Sequence, residues 1–397
     1  MNFCISGLLA AFSVSFLLGS AESLAQNAYI TNYSDGTVSV IDTATNAVTA
    51  TIPVGAGLYG VAASQNRVYI TNPGSDSVSV LDTVRNTVIA TISVGSGATG
   101  SCLGQYFCNG IAVTPDGSKV YVGNRGLNTV SVISAATNTV TATISVGAFP
   151  FGIAVTPDGK KVYVATTTKT SVFPPPTSPP DTVSVIDTAT DKITATITVG
   201  GNALGVAVSP NGSTVYVVNN ANGTVSVIDT GTDKVTATIS VGSFPFGVAV
   251  APDGSRVYVA NDMASATVST ISVIDTTANN SVIATIPVSA AEPYGVAVSL
   301  DGKQLYLANN LSDNVTVIDT LTNTVSGFIG VGVNPVAFGS FIQRPLSFAG
   351  TPGTASCYGR SVATLNRQFR GLSGAASGLG FSSVGSLQSA ILAFCGQ

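Results

Sequence analysis

Apolar and polar positions alternate along this chain in short runs that return in a fixed four-beat order. One beat is led by tyrosine and ends in Asn or a close variant, starting at Tyr29, Tyr69, Tyr121, Tyr163, Tyr216, Tyr258 and Tyr306. The next is Val-Ser-Val-Ile-Asp or a relative, as in Val38 to Asp42, Val183 to Asp187 and Val225 to Asp229. The third reads like Val-Thr-Ala-Thr-Ile, as in Val48 to Ile52 and Val140 to Ile144. The fourth is Gly-Val-Ala-Val, from Gly60, Gly110, Gly152, Gly205, Gly247 and Gly295. Runs rich in β-branched residues, separated by Gly, Asn, Asp and Pro, predict four-stranded antiparallel sheets. A return every ~40 to 50 residues is the period of propeller blades and solenoid repeats.

The phase of the repeat decides between them. The strand at Tyr29 has no Gly-Val-Ala-Val strand before it, and the last such strand, Pro335-Val336-Ala337-Phe338, has no tyrosine strand after it. One completes the other. The pattern therefore predicts an all-β fold, a seven-bladed β-propeller of four-stranded antiparallel blades. N- and C-terminal strands close the ring, and closure removes the open sheet edges that invite aggregation. The Val/Ala strand, with small side chains, is expected innermost. The Thr-rich strand, half polar, is expected outermost.

The ends read differently. An apolar stretch from Ile5 to Leu18, then Ser23-Leu24-Ala25, predicts a secretory signal peptide over residues 1–25. It is short for a permanent span, so no transmembrane anchor is expected in the mature chain. Cys4 would leave with it. Cys102, Cys108, Cys357 and Cys395 remain, and an even number in an exported chain points to two disulfides. Proximity in sequence favours Cys102 with Cys108 and Cys357 with Cys395. The propeller is expected over 26–342 and a Pro/Gly-rich linker over 343–353. Residues 354–397 form a small helical C-terminal module, in which Val384, Leu387, Ile391 and Phe394 fall at helical spacing behind an N-cap at Ser382 or Ser383.

The motifs Tyr-Ile-Thr-Asn, Val-Ser-Val-Ile-Asp-Thr, and Gly-x-Ala-Val-Thr-Pro-Asp-Gly at Gly110 to Gly117 and Gly152 to Gly159 resemble the YVTN-repeat β-propellers of bacterial exported and archaeal surface-layer proteins. The resemblance covers roughly Ala28 to Ile342 and implies fold, not activity. The tail resembles a C-terminal module of exported bacterial proteins through Gly350 to Gly353, Cys357 and Leu379-Gly380-Phe381.

Positions shared by all blades must serve geometry common to all, so a unique site has to be sought in departures from the repeat. The strand-ending asparagines, such as Asn32 and Asn124, and the aspartates of Val-Ser-Val-Ile-Asp are expected to make Asx turns to local backbone. Three insertions depart: Gly97 to Asn109, Thr166 to Pro180 with its proline run, and Asp262 to Thr270. In an up-and-down blade all three emerge on one face. The same face collects aromatics in the blade-linking loops. Candidate ligand-binding residues there are Tyr59, Phe107, Phe149, Phe151, Phe244, Phe246, Glu292 and Tyr294, placed near the mouth of the central channel and suited to sugars, peptides or apolar groups. The alternative is that Phe151, Phe246 and Tyr294, at matching positions, pack between adjacent blades.

Composition narrows the chemistry. Of 397 residues only 9% are charged, the net charge is −4, and there is neither His nor Trp. Clustered Lys and Arg are missing, so no nucleic acid is expected as partner. Without histidine, a Ser-His or Cys-His nucleophile cannot form, and no metal centre or cofactor is expected. Arg125, Glu292 and Asp262 are the charged groups placed on the loop-bearing face. The expected function is that of an exported, non-catalytic, monomeric binding or envelope scaffold, in periplasm, cell surface or medium, whose partner is a protein, peptide or glycan of the cell envelope. A lactonase-like or quinone-cofactor propeller enzyme and a structural surface-coat subunit are the alternatives.

Overall fold

The computed structural model describes residues 26–95, 110–168, 180–262, 268–289, 292–343, 361–362, 372 and 384–395. The signal peptide, Cys102, Cys108, Phe107, Cys357 and the proline run lie outside the described residues.

Seven antiparallel sheets follow one another along the chain, six of four strands and one of three. In blade four, for example, the strands are Pro150–Val155, Lys161–Thr166, Thr182–Asp187 and Lys192–Thr198, hydrogen-bonded in that order from the axis outward. Burial explains the composition of each. The tyrosine strand and the Val-Ser-Val-Ile-Asp strand are sandwiched between neighbouring blades, so both faces are buried and both read as nearly continuous apolar runs. The outermost strand keeps its threonines in water and turns one isoleucine, Ile197 in this blade, inward. The core is thus not one mass. It is a series of clusters between adjacent blades, such as Tyr69, Val78 and Ile92 of blade two against Val120, Val122 and Ile133 of blade three.

The chain closes its own ring. Pro335 bridges to Asn32 and Ile342 to Ala28, and the Tyr29 amide donates to the Phe341 carbonyl at 2.9 Å. The closing segment is longer than the four residues read from sequence. In blade four, five steps of chain (Pro150 to Val155) face four on the partner strand. Here seven steps (Pro335 to Ile342) face the same four. The two extra residues are absorbed where Ala337 and Gly339 take positive φ, 46° and 122°. This pushes Phe338 toward the axis, where Val61 N–H of blade two donates to its carbonyl at 2.9 Å.

Side chains stitch one blade to the next. Tyr121 OH donates to Asp191 Oδ1 at 2.8 Å while Lys119 Nζ donates to Asp191 Oδ2 at 2.8 Å, and Tyr163, Lys161 and Asp233 repeat the arrangement one blade on. Across the closure, Tyr306 OH donates to Asn46 Oδ1 at 2.6 Å. Asn46, Asp191 and Asp233 all sit at positive φ in the hairpin between the Val-Ser-Val-Ile-Asp strand and the outer strand of the next blade. Asn and Asp tolerate that conformation, so the turn residue doubles as the acceptor for the neighbouring tyrosine.

The strand-ending asparagines correct the sequence reading. Asn32, Asn72, Asn124 and Asn219 each send Nδ2 to two side-chain hydroxyls on the next strand, Ser39 and Thr37 for Asn32, at 2.7–3.2 Å, and so are not mainly backbone Asx turns. They are buried, so the amide nitrogen finds its acceptors on the neighbouring strand. The aspartates behave as read: Asp42 Oδ1 accepts from the amides of Ala44 and Thr45.

In the tail, helix α1 spans Val384–Cys395 and buries Leu387 and Ile391, as the spacing predicts.

Candidate functional site

Where the blades converge, the residue before the inner-strand glycine, or before Ala337 in the closing segment, points to the axis. Tyr59, Phe151, Leu204, Phe246, Tyr294 and Val336 form this ring and are buried. The glycines make the ring possible. A Cβ on Gly110, Gly152, Gly205, Gly247 or Gly295 would lie 1.9–2.5 Å from the carbonyl oxygen of the ring residue in the following blade. Only a missing side chain lets successive blades approach this closely.

Phe338 fills the centre. It is 5% exposed, with ring centroids 5.0 Å from Phe151, 5.7 Å from Phe246 and 6.1 Å from Tyr59. Most of these contacts are edge-to-face, the arrangement favoured by the ring quadrupole. The rings read from sequence as surrounding a mouth thus close around a plug. Below it lies a cavity of about 1710 Å³, walled by the inner strands and opening among the turns at Pro115, Pro157, Pro210 and Pro252, on the face away from the insertions.

Above the plug the loop-bearing face is built from one recurring position. Five of the blade-linking loops cross in left-handed backbone, at Phe149 (φ 44°), Asn202 (57°), Phe244 (45°), Glu292 (54°) and Asn334 (54°). Asparagine takes this conformation at little cost, and Asn202 and Asn334 use it to make hydrogen bonds: Asn202 Nδ2 to Asn220 Oδ1 at 3.0 Å, Asn334 Nδ2 to the Asn310 carbonyl at 3.1 Å. Phenylalanine does so against the steric preference of an L-residue. Phe149 and Phe244 are nonetheless held there, half-buried. Beside Asn202, buried Asp181 accepts from Thr167 Oγ1, Thr168 N and Asn202 N at 2.6–2.9 Å and ties together the two ends of the Thr166 to Pro180 insertion.

Charge on this face is sparse and placed. The Arg125 guanidinium stands 5.3 Å from the Phe149 ring centroid and 6.0 Å from that of Phe151, within cation–π range. Burial lowers its pKa. Burial also raises the Tyr59 phenol well above its ordinary value, against the pull of Arg125. Tyr294 OH donates to Glu292 Oε2 at 2.7 Å, and burial first, then Glu292, pushes that phenol upward. Among the described residues no group of three or more His, Cys, Asp or Glu is gathered to hold a metal ion.

Of the residues singled out from sequence, Tyr59, Phe151, Phe246 and Tyr294 are brought together at the axis, whereas Phe149, Phe244 and Glu292 lie on the face above. Phe338 was missed as a site residue because it was aligned with an ordinary inner strand. The signal was there: Val-Ala-Phe-Gly-Ser-Phe-Ile puts two aromatics where other blades have Val and Ala.

A disc of seven four-stranded blades with its ends stitched together defines the seven-bladed β-propeller class. Within it, the sequence model described as "Lactonase, 7-bladed beta-propeller" matches residues 59–173 and 206–327, more than half of the chain, and the chain belongs to that family. Among solved structures it is similar to Kuenenia stuttgartiensis hydrazine synthase, at 24% identity and TM-score 0.60 over 73% of this chain and 94% of that one. It is also similar to a protein of Desulfotomaculum acetoxidans DSM 771 described as functionally unknown, at 15% identity and TM-score 0.64 over 79% of this chain and 100% of that one. At these identities the likeness concerns the fold. No curated protein matches.

Proposed function

We propose that this member of the family is a non-catalytic binding module, an exported propeller of the YVTN-repeat kind that holds a protein, peptide or glycan of the cell envelope on its loop-bearing face. The observation that carries this reading is the pair Phe149 and Phe244, kept at φ 44° and 45° where the same turn uses asparagine at Asn202 and Asn334 and glutamate at Glu292. Strained backbone persists where something other than stability retains it. The outcome of the strain is two aromatic rings presented above a closed, aromatic floor. The apolar stretch ahead of Ala25 supports export.

The test is thermal unfolding of the chain from Gln26 onward against envelope glycans, peptides and lactones. A ligand at 100 times its Kd adds about 2.7 kcal/mol. The reading expects a shift that the Phe149→Ala, Phe244→Ala double variant loses. A shift that survives this variant removes the face from consideration.

The family match favours a second reading, a lactone-transforming enzyme. Turnover of a lactone by the purified chain, abolished by Glu292→Gln, would establish it and displace the first.

A further inference from the structure

We infer that the axial cavity beneath Phe338 is a binding site for an uncharged single-chain lipid, of the long-chain alcohol or prenol class. The cavity opens on the face opposite the insertion-bearing loops, so this is a second site, separate from the one proposed above.

The first observation is a residue preference that shape does not dictate. In blades four to seven the wall runs Ile153 to Val155, Val206 to Val208, Val248 to Val250 and Val296 to Val298, each an Ile or Val, an Ala and a Val. Val155, Val208 and Val250 are half-buried, packed on the interblade clusters on one side and bordering the cavity on the other. In the outer strand of blade four, where the chain meets bulk water, the exposed face carries Thr194, Thr196 and Thr198 instead. Val and Thr share a β-branched shape and differ by a hydroxyl. A bore that held only water would be served by Thr in both places. Val and Ala on its wall fit an apolar occupant, because apolar surface is stabilised by removal from water.

The second observation is the form of the space. Phe338 and Tyr294 border its closed end, and the turns at Pro115, Pro157, Pro210 and Pro252 surround its mouth. Its volume of about 1710 Å³ exceeds the ~300–1,000 Å³ usual for a drug-sized ligand. A blind apolar bore with a polar mouth matches a long molecule that has an apolar tail and one polar end.

The third observation is charge. Among the described residues, the charged side chains lining the cavity are Arg67, Lys119, Asp116 and Asp191, two of each sign. Lys119 Nζ donates to Asp191 Oδ2 at 2.8 Å, Asp116 Oδ1 accepts from the Thr114 hydroxyl at 2.6 Å, and Arg67 donates to the Ala135 carbonyl. An ionised head would have to break one of these pairs, so the polar end is uncharged.

Fluorescence of N-phenyl-1-naphthylamine, an uncharged apolar dye, tests this on the mature chain from Gln26 onward. The dye is expected to brighten on saturable binding and to be displaced by farnesol and dodecanol, several-fold less well by laurate, and not by maltohexaose. Ala154→Trp with Ala207→Trp fills the bore and is expected to weaken dye binding about tenfold or more, the scale of two methylenes left in water. Val155→Thr with Val208→Thr keeps the shape and is expected to weaken it severalfold. Thermal unfolding of each variant separates a lost site from a lost fold, and if the tryptophan pair does not fold the threonine pair decides. Dye binding that a folded variant pair leaves unchanged overturns the cavity as the site. Laurate competing as well as dodecanol overturns the uncharged class, and displacement by maltohexaose overturns the apolar class. No dye binding and no rise in melting temperature with farnesol overturn the proposal as a whole.

Discussion

Replacing Phe338 with alanine tests whether the propeller is plugged from above. A buried phenylalanine removes roughly 200 Å² from water. At ~25 cal/mol/Å² that is about 5 kcal/mol, an upper bound because unfolded chains already bury part of this area. The underside of the ring borders the axial cavity, so water refills the space and no sealed void adds its own cost. About 3 kcal/mol is the expected loss. For a domain of this size ~2 °C of Tm follows per kcal/mol, so the transition should fall by about 6 °C. The chain has no Trp, so near-ultraviolet tyrosine dichroism reports the loss of packing. Phe338→Leu, which keeps most of the volume, should cost under ~1.5 kcal/mol. A Phe338→Ala variant melting within ~1 °C of the parent would refute the plug and the closed floor with it.

Three further outcomes are expected. Gly247→Ala puts a Cβ 2.3 Å from the Tyr294 carbonyl, and a backbone oxygen cannot retreat cheaply. It should destabilise by about 3 kcal/mol or more in chemical denaturation, the scale of severe strain and overpacking. Phe244→Asn should leave stability within ~0.5 kcal/mol of the parent, because relief of left-handed strain of about 1 kcal/mol offsets lost contacts, whereas Phe244→Val, stiffer at that φ, should lose about 1–2 kcal/mol. Denaturation midpoints should hold through neutral pH and fall as pH rises past 10. Burial raises the Tyr29 phenol to about 12, so the folded state keeps its proton longer than the unfolded chain. Its stabilisation is full below pH 10 and about 2.7 kcal/mol is lost as pH climbs toward 12, with Tyr69, Tyr121 and Tyr163 acting in the same direction. On the acid side, Asp187 and Asp229 are held below the ordinary carboxylate range by hydroxyl and amide donors. Their contribution is present above ~4 and fades as pH drops further.

The blades were legible because their strands obey local rules. A Val-Ser-Val-Ile-Asp strand buried on both faces and a Thr-rich strand wetted on one are different sequences for a direct physical reason. The contacts between blades were less legible. Tyr121 and Asp191 lie far apart along the chain, and nothing local at either residue says that the phenol of one blade meets the turn of the next. Asn32 looked like a turn former because its neighbours are polar; its burial, set by the blades on either side, made it a side-chain donor instead. For the candidate site, topology alone placed Arg125 and Glu292 on the loop-bearing face. What escaped was depth. Whether Phe151 and Phe246 stand open or closed depends on Phe338, and Phe338 reaches the axis only because two surplus residues in the closing segment have nowhere else to go.

That closing segment also sets a clock. The strand beginning at Asn27 is among the first made, yet its inner-edge partners, Pro335 to Ile342, are about 300 residues away. At ~5–20 residues per second, the first strand waits roughly 15–60 s before its neighbour exists. Blades two to seven can form in order behind the ribosome. Blade one cannot, and until Pro335 to Ile342 arrive the disc is a crescent with an exposed strand at each end. Synthesis order therefore makes closure of the ring wait for Pro335 to Ile342, and anything that delays that segment delays the whole ring.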